Sequence, residues 1–250
     1  MRNRGFTLIE LVVTVVVISV LALGVTSFIN YGARIYQSSS DWQQQMSQLR
    51  LASQRFSREV SQAVPGTVSV GSSCISFRPL ASAERFFANP QIGTTDTILA
   101  YTPSCCSGSD CSPCNGLTAV LLNGYQPHFY DLQSTTVSSC GGSCSQAQLQ
   151  FSQAIDPATY ASSGRFFFAE EAVQWCVVGE QIQRNGVLMG EGLTNNLTDC
   201  INNGANDSQC PFVMAPPSLG RNNLVRLQWW FSVDNQQQRW AQEVQLANVP

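Results

Sequence analysis

Lysine is absent from this sequence of 250 residues, histidine occurs once, and charged residues make up only 12% of the chain. A share of about 25% is usual for soluble domains, so the sequence is poor in charge. The formal net charge is −3, and every basic residue is an arginine. This composition gives no sign of an extended phosphate-binding face, and we expect no nucleic-acid partner.

Sequence signatures of catalysis are missing as well. The single histidine, His128, lies beside aromatic residues with no nucleophile motif near it. Glu170 and Glu171 follow a candidate strand, in which adjacent side chains point to opposite faces, so they are poor candidates for a catalytic carboxylate pair. Asp199 and Asp207 lie in a polar loop without the acid density of a calcium motif. The sequence therefore predicts no enzyme, no catalytic residue, no cofactor and no metal.

The first thirty residues are dominated by one apolar run. Between Phe6 and Ile29 the only ionisable side chain is Glu10. This run is long enough for a helix to cross a hydrocarbon layer of about 30 Å. Arg2 and Arg4 precede it and should stay cytoplasmic, which sends the rest of the chain outward. We expect a single membrane-spanning helix with a cytoplasmic N-terminus.

Two general interpretations of this run are a secretory signal peptide, cut after Ala22 or Gly24, and a plain membrane anchor. The early carboxylate and the length of the run disfavour a signal peptide. A charged side chain costs about 2.5–3.5 kcal/mol at mid-bilayer and less near the helix start, so a plain anchor remains compatible with Glu10.

The segment from Gly5 to Glu10 reads G-F-T-L-I-E, and it resembles the processing site of type IV prepilins. The resemblance implies that a prepilin peptidase removes residues 1–5 by cleaving between Gly5 and Phe6 and then methylates the amine of Phe6. Glu10 would lie about one helical turn from that amine. In a filament of bundled helices, the amine of a neighbouring subunit would neutralise the Glu10 carboxylate and fix the axial register of assembly.

A helical apolar stripe continues beyond the run and ends at Pro65-Gly66. Its members are Ile35, Trp42, Met46, Leu49, Phe56, Val60 and Val64. The pattern predicts a helix from Phe6 to about Ala63. We therefore expect three parts: a leader at 1–5, an assembly helix at 6–64, and a β-rich periplasmic or extracellular head at 65–250.

Period-two patterns predict the strands of the head. The candidates are Thr67–Val70, Cys74–Arg78, Thr97–Thr102, Leu117–Leu122, Gln148–Phe151, Arg165–Ala169, Val173–Val178, Gln181–Arg184, Val187–Met189, Leu224–Val233 and Arg239–Ala247. Asn185-Gly186 predicts a two-residue hairpin, and a second hairpin is expected at Asp234–Gln238. The predicted fold class is α+β, a long N-terminal helix followed by an antiparallel sheet, as in type IV pilins.

Further segments resemble particular pilins. The stretch from Trp175 to Leu188 is similar to the larger minor pilins and to J-type minor pseudopilins of type II secretion. Residues 28–65 and 244–250 most resemble the O-type minor pilin of the mannose-sensitive haemagglutinin (MSHA) pilus. The resemblance implies a minor pilin that primes assembly or lies at the tip. Its partners would be other major and minor pilins and the inner-membrane assembly platform. A type II pseudopilin and a tip adhesin or ligand-binding module are the alternatives.

That resemblance also implies a location. The chain would wait in the inner membrane and then enter a pilus on the cell surface, where it would take part in pilus assembly or in cell adhesion.

Ten cysteines lie in the segment that we expect outside the cytoplasm, where disulfides persist. They are Cys74, Cys105, Cys106, Cys111, Cys114, Cys140, Cys144, Cys176, Cys200 and Cys210. Connectivity cannot be deduced from sequence. Short bridges such as Cys111–Cys114 or Cys140–Cys144 are candidates, as is Cys200–Cys210, whereas Cys105 and Cys106 would each pair elsewhere.

Two cysteine features remain open at this point. Cys74 and Cys176 are either partners or buried thiols. For the cluster of Cys105, Cys106, Cys111 and Cys114, a zinc tetrathiolate and a redox pair formed by the C-x-x-C of Cys111 and Cys114 compete with the favoured structural disulfides.

Overall fold

The structure is a computed structural model that describes residues 8–86, 96–107, 109–123, 126–137, 146–156, 164–204, 206–215, 223–233 and 236–246. The chain forms two compact units, Met1–Gln48 and Leu49–Pro250. One helix, α1 (Leu8–Ser61), begins in the first unit and ends in the second. The predicted long helix is confirmed over this range, and its expected first residue, Phe6, lies outside the described residues.

In the first unit, α1 contains a stretch that is long and apolar enough to cross a membrane, and none of that stretch is buried in the protein. The hydroxyl groups of Thr14, Ser19, Thr26 and Ser27 each donate a hydrogen bond of 2.7–3.0 Å to a carbonyl oxygen three or four residues earlier. These bonds satisfy the hydroxyl groups within the helix, which hydrocarbon surroundings cannot do.

In the second unit, the end of α1 is amphipathic. Leu49, Phe56 and Val60 are fully buried, and their spacing places them on one helical face. The Phe56 ring lies edge-on to Trp175 and also against Phe212, with centroid distances of 5.6 and 5.4 Å. The part of the predicted apolar stripe from Leu49 onwards therefore packs on the strands of the head, whereas the prediction is wrong for Ile35 and Trp42, which are exposed.

The described residues after α1 form strands, a short 3₁₀ helix (Ser112–Cys114) and a short α-helix, α2 (Leu197–Asn203). The strands are β1 (Ser69–Val70), β2 (Cys74–Phe77), β3 (Leu80–Arg85), β4 (Thr97–Tyr101), β5 (Thr118–Asn123), β6 (Gln126–Val137), β7 (Gln146–Phe151), β8 (Arg165–Ala169), β9 (Val173–Val178), β10 (Gln181–Arg184), β11 (Val187–Glu191), β12 (Phe212–Ala215), β13 (Leu224–Val233) and β14 (Gln236–Gln245). This arrangement confirms the predicted α+β fold with antiparallel sheets.

Two of the sheets form a frame on which α1 packs. One has the strand order β1-β2-β9-β10-β11 and the other β12-β13-β14. A bridge between Leu193, just after β11, and Phe231 in β13 connects them. The hairpin between β10 and β11 is confirmed: Asn185 and Gly186 both have positive φ, 48° and 78°, as its two-residue turn requires.

The third sheet is an insertion between two neighbouring strands of the frame. Phe77 in β2 pairs directly with Val173 in β9, yet the chain between them forms a separate six-stranded sheet. Its order is β3-β8-β5-β6-β7-β4, and its two end strands meet through a bridge between Phe86 and Ala100. The sheet therefore curls towards a barrel around its own core. That core includes Ile98, Leu121, Tyr130, Leu149, Phe151, Phe166 and Phe168.

Five elements were not predicted: β3, β6, β12, α2 and the 3₁₀ helix at Ser112–Cys114. The β6 strand begins with Gln126 and Pro127, and proline is unusual inside a sheet. Here Pro127 is tolerated because β7 pairs only with the later part of β6, from Leu132 onwards. The polar loop expected around residues 195–210 instead contains α2, whose N-cap Asn196 accepts hydrogen bonds from the backbone of Thr198 and Asp199.

Candidate functional site

The predicted processing site lies at the start of the chain. Gly5 and Phe6 are outside the described residues, so cleavage between them stays a prediction. Glu10 lies in the first turn of α1 and is exposed. It makes no hydrogen bond or ion pair with another described residue, unlike the hydroxyl groups of the same apolar stretch. Its carboxylate is therefore available to a positive charge from outside the described chain.

A second carboxylate, Glu59, ties the end of α1 to the frame. Its Oε2 accepts hydrogen bonds from the indole Nε1 of Trp175 at 3.0 Å and from Nε of Arg184 at 2.9 Å. Its Oε1 accepts one from Nε of Arg55, one turn earlier on the helix, at 2.9 Å. The Glu59 side chain is 17% exposed. Sequence reasoning missed this group, although its position beside Val60 in the apolar stripe and four residues after Arg55 could have indicated it.

The environment of Glu59 stabilises the charged form. Burial raises the pKa of its carboxyl, but hydrogen bonds from Arg184, Arg55 and Trp175 and the charge of Arg184 outweigh that effect and hold the pKa below its usual value. This arrangement brings a carboxylate, two guanidinium groups and an indole together without a nucleophile. It can fix the helix against β9 and β10, and it offers no acid–base pair for catalysis.

The described cysteines form four disulfides. Cys74 pairs with Cys176, Cys105 with Cys114, Cys106 with Cys111, and Cys200 with Cys210. The suggested Cys111–Cys114 bridge is wrong, because the two residues bond instead to the adjacent pair Cys105 and Cys106. Cys140 and Cys144 lie outside the described residues, and their pairing stays a prediction.

Two of these disulfides close the loop that precedes β5. Cys111 and Cys114 are buried in the core of the six-stranded sheet. The sulfur atoms of Cys105, Cys106 and Cys114 lie within 4.8 Å of one another, and those of Cys106 and Cys114 are 3.6 Å apart. The zinc alternative needs free thiolates at these sulfurs, whereas the structure engages all four in disulfides.

The Cys74–Cys176 disulfide lies at the base of the insertion. Its two residues are directly opposite each other in the pairing of β2 with β9, with Cα atoms 4.1 Å apart. The bridge spans a sequence separation of 102 residues, which includes the whole six-stranded sheet. It therefore joins the two points of the frame between which the inserted sheet leaves and returns.

The remaining polar candidates lie apart from one another. His128 is in β6, opposite Leu121 of β5. The Asp199 carboxylate accepts a hydrogen bond from Asn196 beside α2, and Asp207 accepts hydrogen bonds from Asn203 and from the backbone of Gln209. Within the described ranges, the structure does not assemble these residues into one site.

Comparison with known proteins supports the N-terminal assignment. Residues 1–26 match the family model described as the prokaryotic N-terminal methylation motif. The match supports a type IV pilin-like protein, a pilin or pseudopilin, and a structural subunit rather than an enzyme. The motif implies processing by prepilin peptidase and assembly with other pilins, and with the apolar helix it is consistent with membrane anchoring before assembly. The comparisons with curated proteins and with solved structures found no match.

Proposed function

We propose that this chain is a minor type IV pilin that takes part in pilus assembly as a priming or tip subunit. The observation that carries the proposal is Glu10, an acid in an apolar helix and the last residue of the prepilin processing motif. The hydroxyl groups of the same stretch bond within the helix, so Glu10 is the group that needs an outside partner. The methylated amine of Phe6 in a neighbouring subunit supplies the opposite charge.

The proposal gives each part of the chain a role. Residues 1–5 are the leader, 6–64 the helix that anchors the subunit and then enters the filament, and 65–250 the head outside the cytoplasm. The chain waits in the inner membrane with its N-terminus in the cytoplasm and moves to the pilus on the cell surface. Its partners are prepilin peptidase, the assembly platform and other pilins. The resemblance of residues 28–65 and 244–250 favours the O-type minor pilin of the MSHA pilus.

The first experiment identifies the mature N-terminus by mass spectrometry, in cells with and without prepilin peptidase. We expect methylated Phe6 only when the peptidase is present. Gly5→Val should abolish the cleavage, whereas Gly24→Val should leave it unchanged, because a Cβ at Gly24 meets no atom within 4 Å. A chain beginning at Val25, or one that keeps Met1 in peptidase-competent cells, would refute the proposal.

The second experiment tests the role of Glu10 in assembly. Glu10→Gln should leave processing intact but strongly reduce the amount of the chain in sheared pili, because the amide cannot pair with a charged amine. Ser19→Ala is the matched control, since Ser19 bonds to its own helix, and we expect it to assemble normally. Pili that contain Glu10→Gln at the wild-type level would contradict the pairing. A defect in protein secretion, with pili intact, would instead support a type II pseudopilin.

A ligand-binding or adhesive role at the tip is a second candidate, and the inserted six-stranded sheet favours it. The end of helix α1 and the frame form one packed unit, and the insertion adds a separate core at 80–169. Replacing residues 80–169 by a short turn should preserve assembly into pili and abolish attachment in a cell-adhesion assay. Unchanged attachment by such pili would reject this candidate.

A further inference from the structure

The last strand of the described chain, β14, forms one edge of the three-stranded sheet. It pairs with β13 through ten successive residue pairs, from Val233–Gln236 to Leu224–Gln245, with no bulge. Among the described residues, no strand pairs with its other side. The remaining edges differ: β1 has two residues, β12 has four, β11 is paired through a bulge, and β3 and β4 meet each other.

The register shows which backbone groups of β14 face outwards. Leu246 donates its N–H to the carbonyl oxygen of Asn223, so even-numbered residues point their backbone groups towards β13. Odd-numbered residues consequently direct their N–H and C=O groups away from the sheet. Gln237, Arg239, Ala241, Glu243 and Gln245 are the odd-numbered positions, and all five are exposed. Their backbone groups have no partner among the described residues and form a template for another strand.

Proteins usually protect such an edge with lysine, proline, a bulge or an inward-pointing charge. None of these features occurs in β14, whose charged residues are Arg239 and Glu243. These two side chains have opposite signs and lie on the same face, two residues on either side of Ala241. The edge is therefore not repelled by an identical edge.

We propose that β14 is a self-docking edge that pairs antiparallel with β14 of a second copy of this chain, centred on Ala241. In this register Arg239 of one copy lies opposite Glu243 of the other, and the reverse pair forms by symmetry. Gln237 lies opposite Gln245, and the small Ala241 meets itself where the two copies are closest. The outward backbone groups then form about ten hydrogen bonds across the interface.

The side chains on this edge have unused binding capacity. Arg226 donates both of its hydrogen bonds to Oε1 of Glu243, so Oε2 accepts none from the described residues. The Arg239 guanidinium lies 5.8 Å from the centroid of the Trp230 ring and makes no hydrogen bond to a described residue. Arg239 of a second copy can donate to the available Oε2, which extends the Arg226–Glu243 pair across the interface.

The proposed assembly of two chains is a closed dimer. An interface that uses the same surface on both copies has two-fold symmetry and stops at a dimer, so it cannot propagate along a filament. The inference is independent of the proposed role in the pilus: it describes a dimer of the subunit outside the helical array.

Cross-linking tests the register directly, with the full chain purified in detergent. Ala241→Cys places two thiols at the dyad, where Cα atoms of a hydrogen-bonded pair are about 5.5 Å apart. Mild oxidation should give a dimer, and mass spectrometry should find the peptide joined to its own copy through position 241. Ser232→Cys is the matched control, because Ser232 is exposed on β13 and its symmetry mate lies three strand spacings away across the sheet and eight residues away along it, a distance of about 30 Å.

Charge exchange then tests the pairing that sets the register, with dimerisation measured by sedimentation. Arg239→Glu should weaken dimerisation about tenfold, because it replaces two attractive pairs by two repulsive ones. The triple variant Arg226→Glu/Arg239→Glu/Glu243→Arg should restore it, because the added change at Arg226 keeps opposite charges at positions 226 and 243. The proposal fails if the chain stays monomeric at all accessible concentrations, if Ser232→Cys cross-links as well as Ala241→Cys, or if the triple variant does not recover.

Discussion

Replacing Glu59 by glutamine is the sharpest test of how the helix is held to the head. The substitution keeps the size of the side chain and one oxygen acceptor, but it removes the charge that faces Arg184 and Arg55. Removing one partner of a buried ion pair costs about 3–5 kcal/mol. Because Glu59 is 17% exposed and Arg55 is 44% exposed, we expect a smaller loss, about 2–3 kcal/mol at pH 7.

The pH dependence of this loss follows from the lowered pKa of Glu59. A carboxyl with a lower pKa in the folded state than in the unfolded state stabilises the fold above the unfolded value of about 4.3. The contribution disappears as the pH falls through the folded pKa. The stability difference between the wild-type chain and Glu59→Gln should therefore be constant from about pH 7 to 5 and narrow below about pH 4.

Urea unfolding of the full chain in detergent, followed by tryptophan fluorescence, measures the difference. Glu171→Gln is the control, because Glu171 is exposed, and we expect a change below about 0.5 kcal/mol. A double-mutant cycle with Arg184→Gln should give a coupling energy above about 1 kcal/mol. The reasoning is refuted if Glu59→Gln is as stable as wild type at pH 7, or if the difference persists unchanged in acid.

The other predictions concern packing, a disulfide and a turn, and the same unfolding assay checks each of them. Phe56→Ala should lower the free energy of unfolding by about 3–5 kcal/mol, because it empties the space between two aromatic rings. Leu51→Ala is the control, since Leu51 is 67% exposed on the other side of the same helix, and it should change that free energy by no more than about 0.5 kcal/mol. Equal losses in the two variants would contradict the packing of Phe56. Removing the Cys74–Cys176 bridge by a double alanine substitution should cost about 4.7 kcal/mol, since it closes a separation of 102 residues. Removing the Cys106–Cys111 bridge, which closes a separation of five residues, should cost about 2 kcal/mol. A smaller loss for Cys74–Cys176 than for Cys106–Cys111 would count against loop closure as the source of the stability. Gly186→Ala should cost about 1–2 kcal/mol, because Gly186 has a φ of 78°, at which an L-residue is strained. An unchanged midpoint of urea unfolding would show that the turn adapts to the alanine.

Much of the fold could be predicted because strong local patterns agree with the packing. The helix from residue 8 onwards is apolar and then amphipathic, and its stripe is the face that Phe56 buries. Asn185 and Gly186 specify their hairpin because few residues adopt positive φ in succession. Strands such as β9 and β13 carry apolar residues at alternating positions, and this pattern predicted their bounds correctly.

The missed elements depend on partners that are distant in sequence. The β3 strand is mostly polar or small and is held by its pairing with β8, about eighty residues later. The β6 strand carries a proline and an aspartate, which argue against a strand until its two neighbours are known. The pairing of Cys106 with Cys111 and of Cys105 with Cys114 depends on the path of a loop, which spacing alone does not specify.

The residues of the candidate site likewise fall into those that a local sequence pattern predicts and those that depend on distant partners. The processing motif and Glu10 could be found because a short contiguous signal encodes them. Glu59 was missed because its two partners from the sheet, Trp175 and Arg184, lie more than a hundred residues away. The barrel-like closure of the inserted sheet was missed for the same reason.

The ends of the inserted sheet lie side by side in the frame, and this has a consequence for how such heads can diversify. Phe77 and Val173 are paired on neighbouring strands. The chain between them can therefore be a short turn, or any module whose own termini lie about one strand spacing apart. A cassette exchanged at this point would leave the assembly helix and its sheet contacts unchanged. Val64 packs against the six-stranded sheet, so each replacement module would have to bury this apolar side chain. The frame can thus carry unrelated domains at this point on one scaffold.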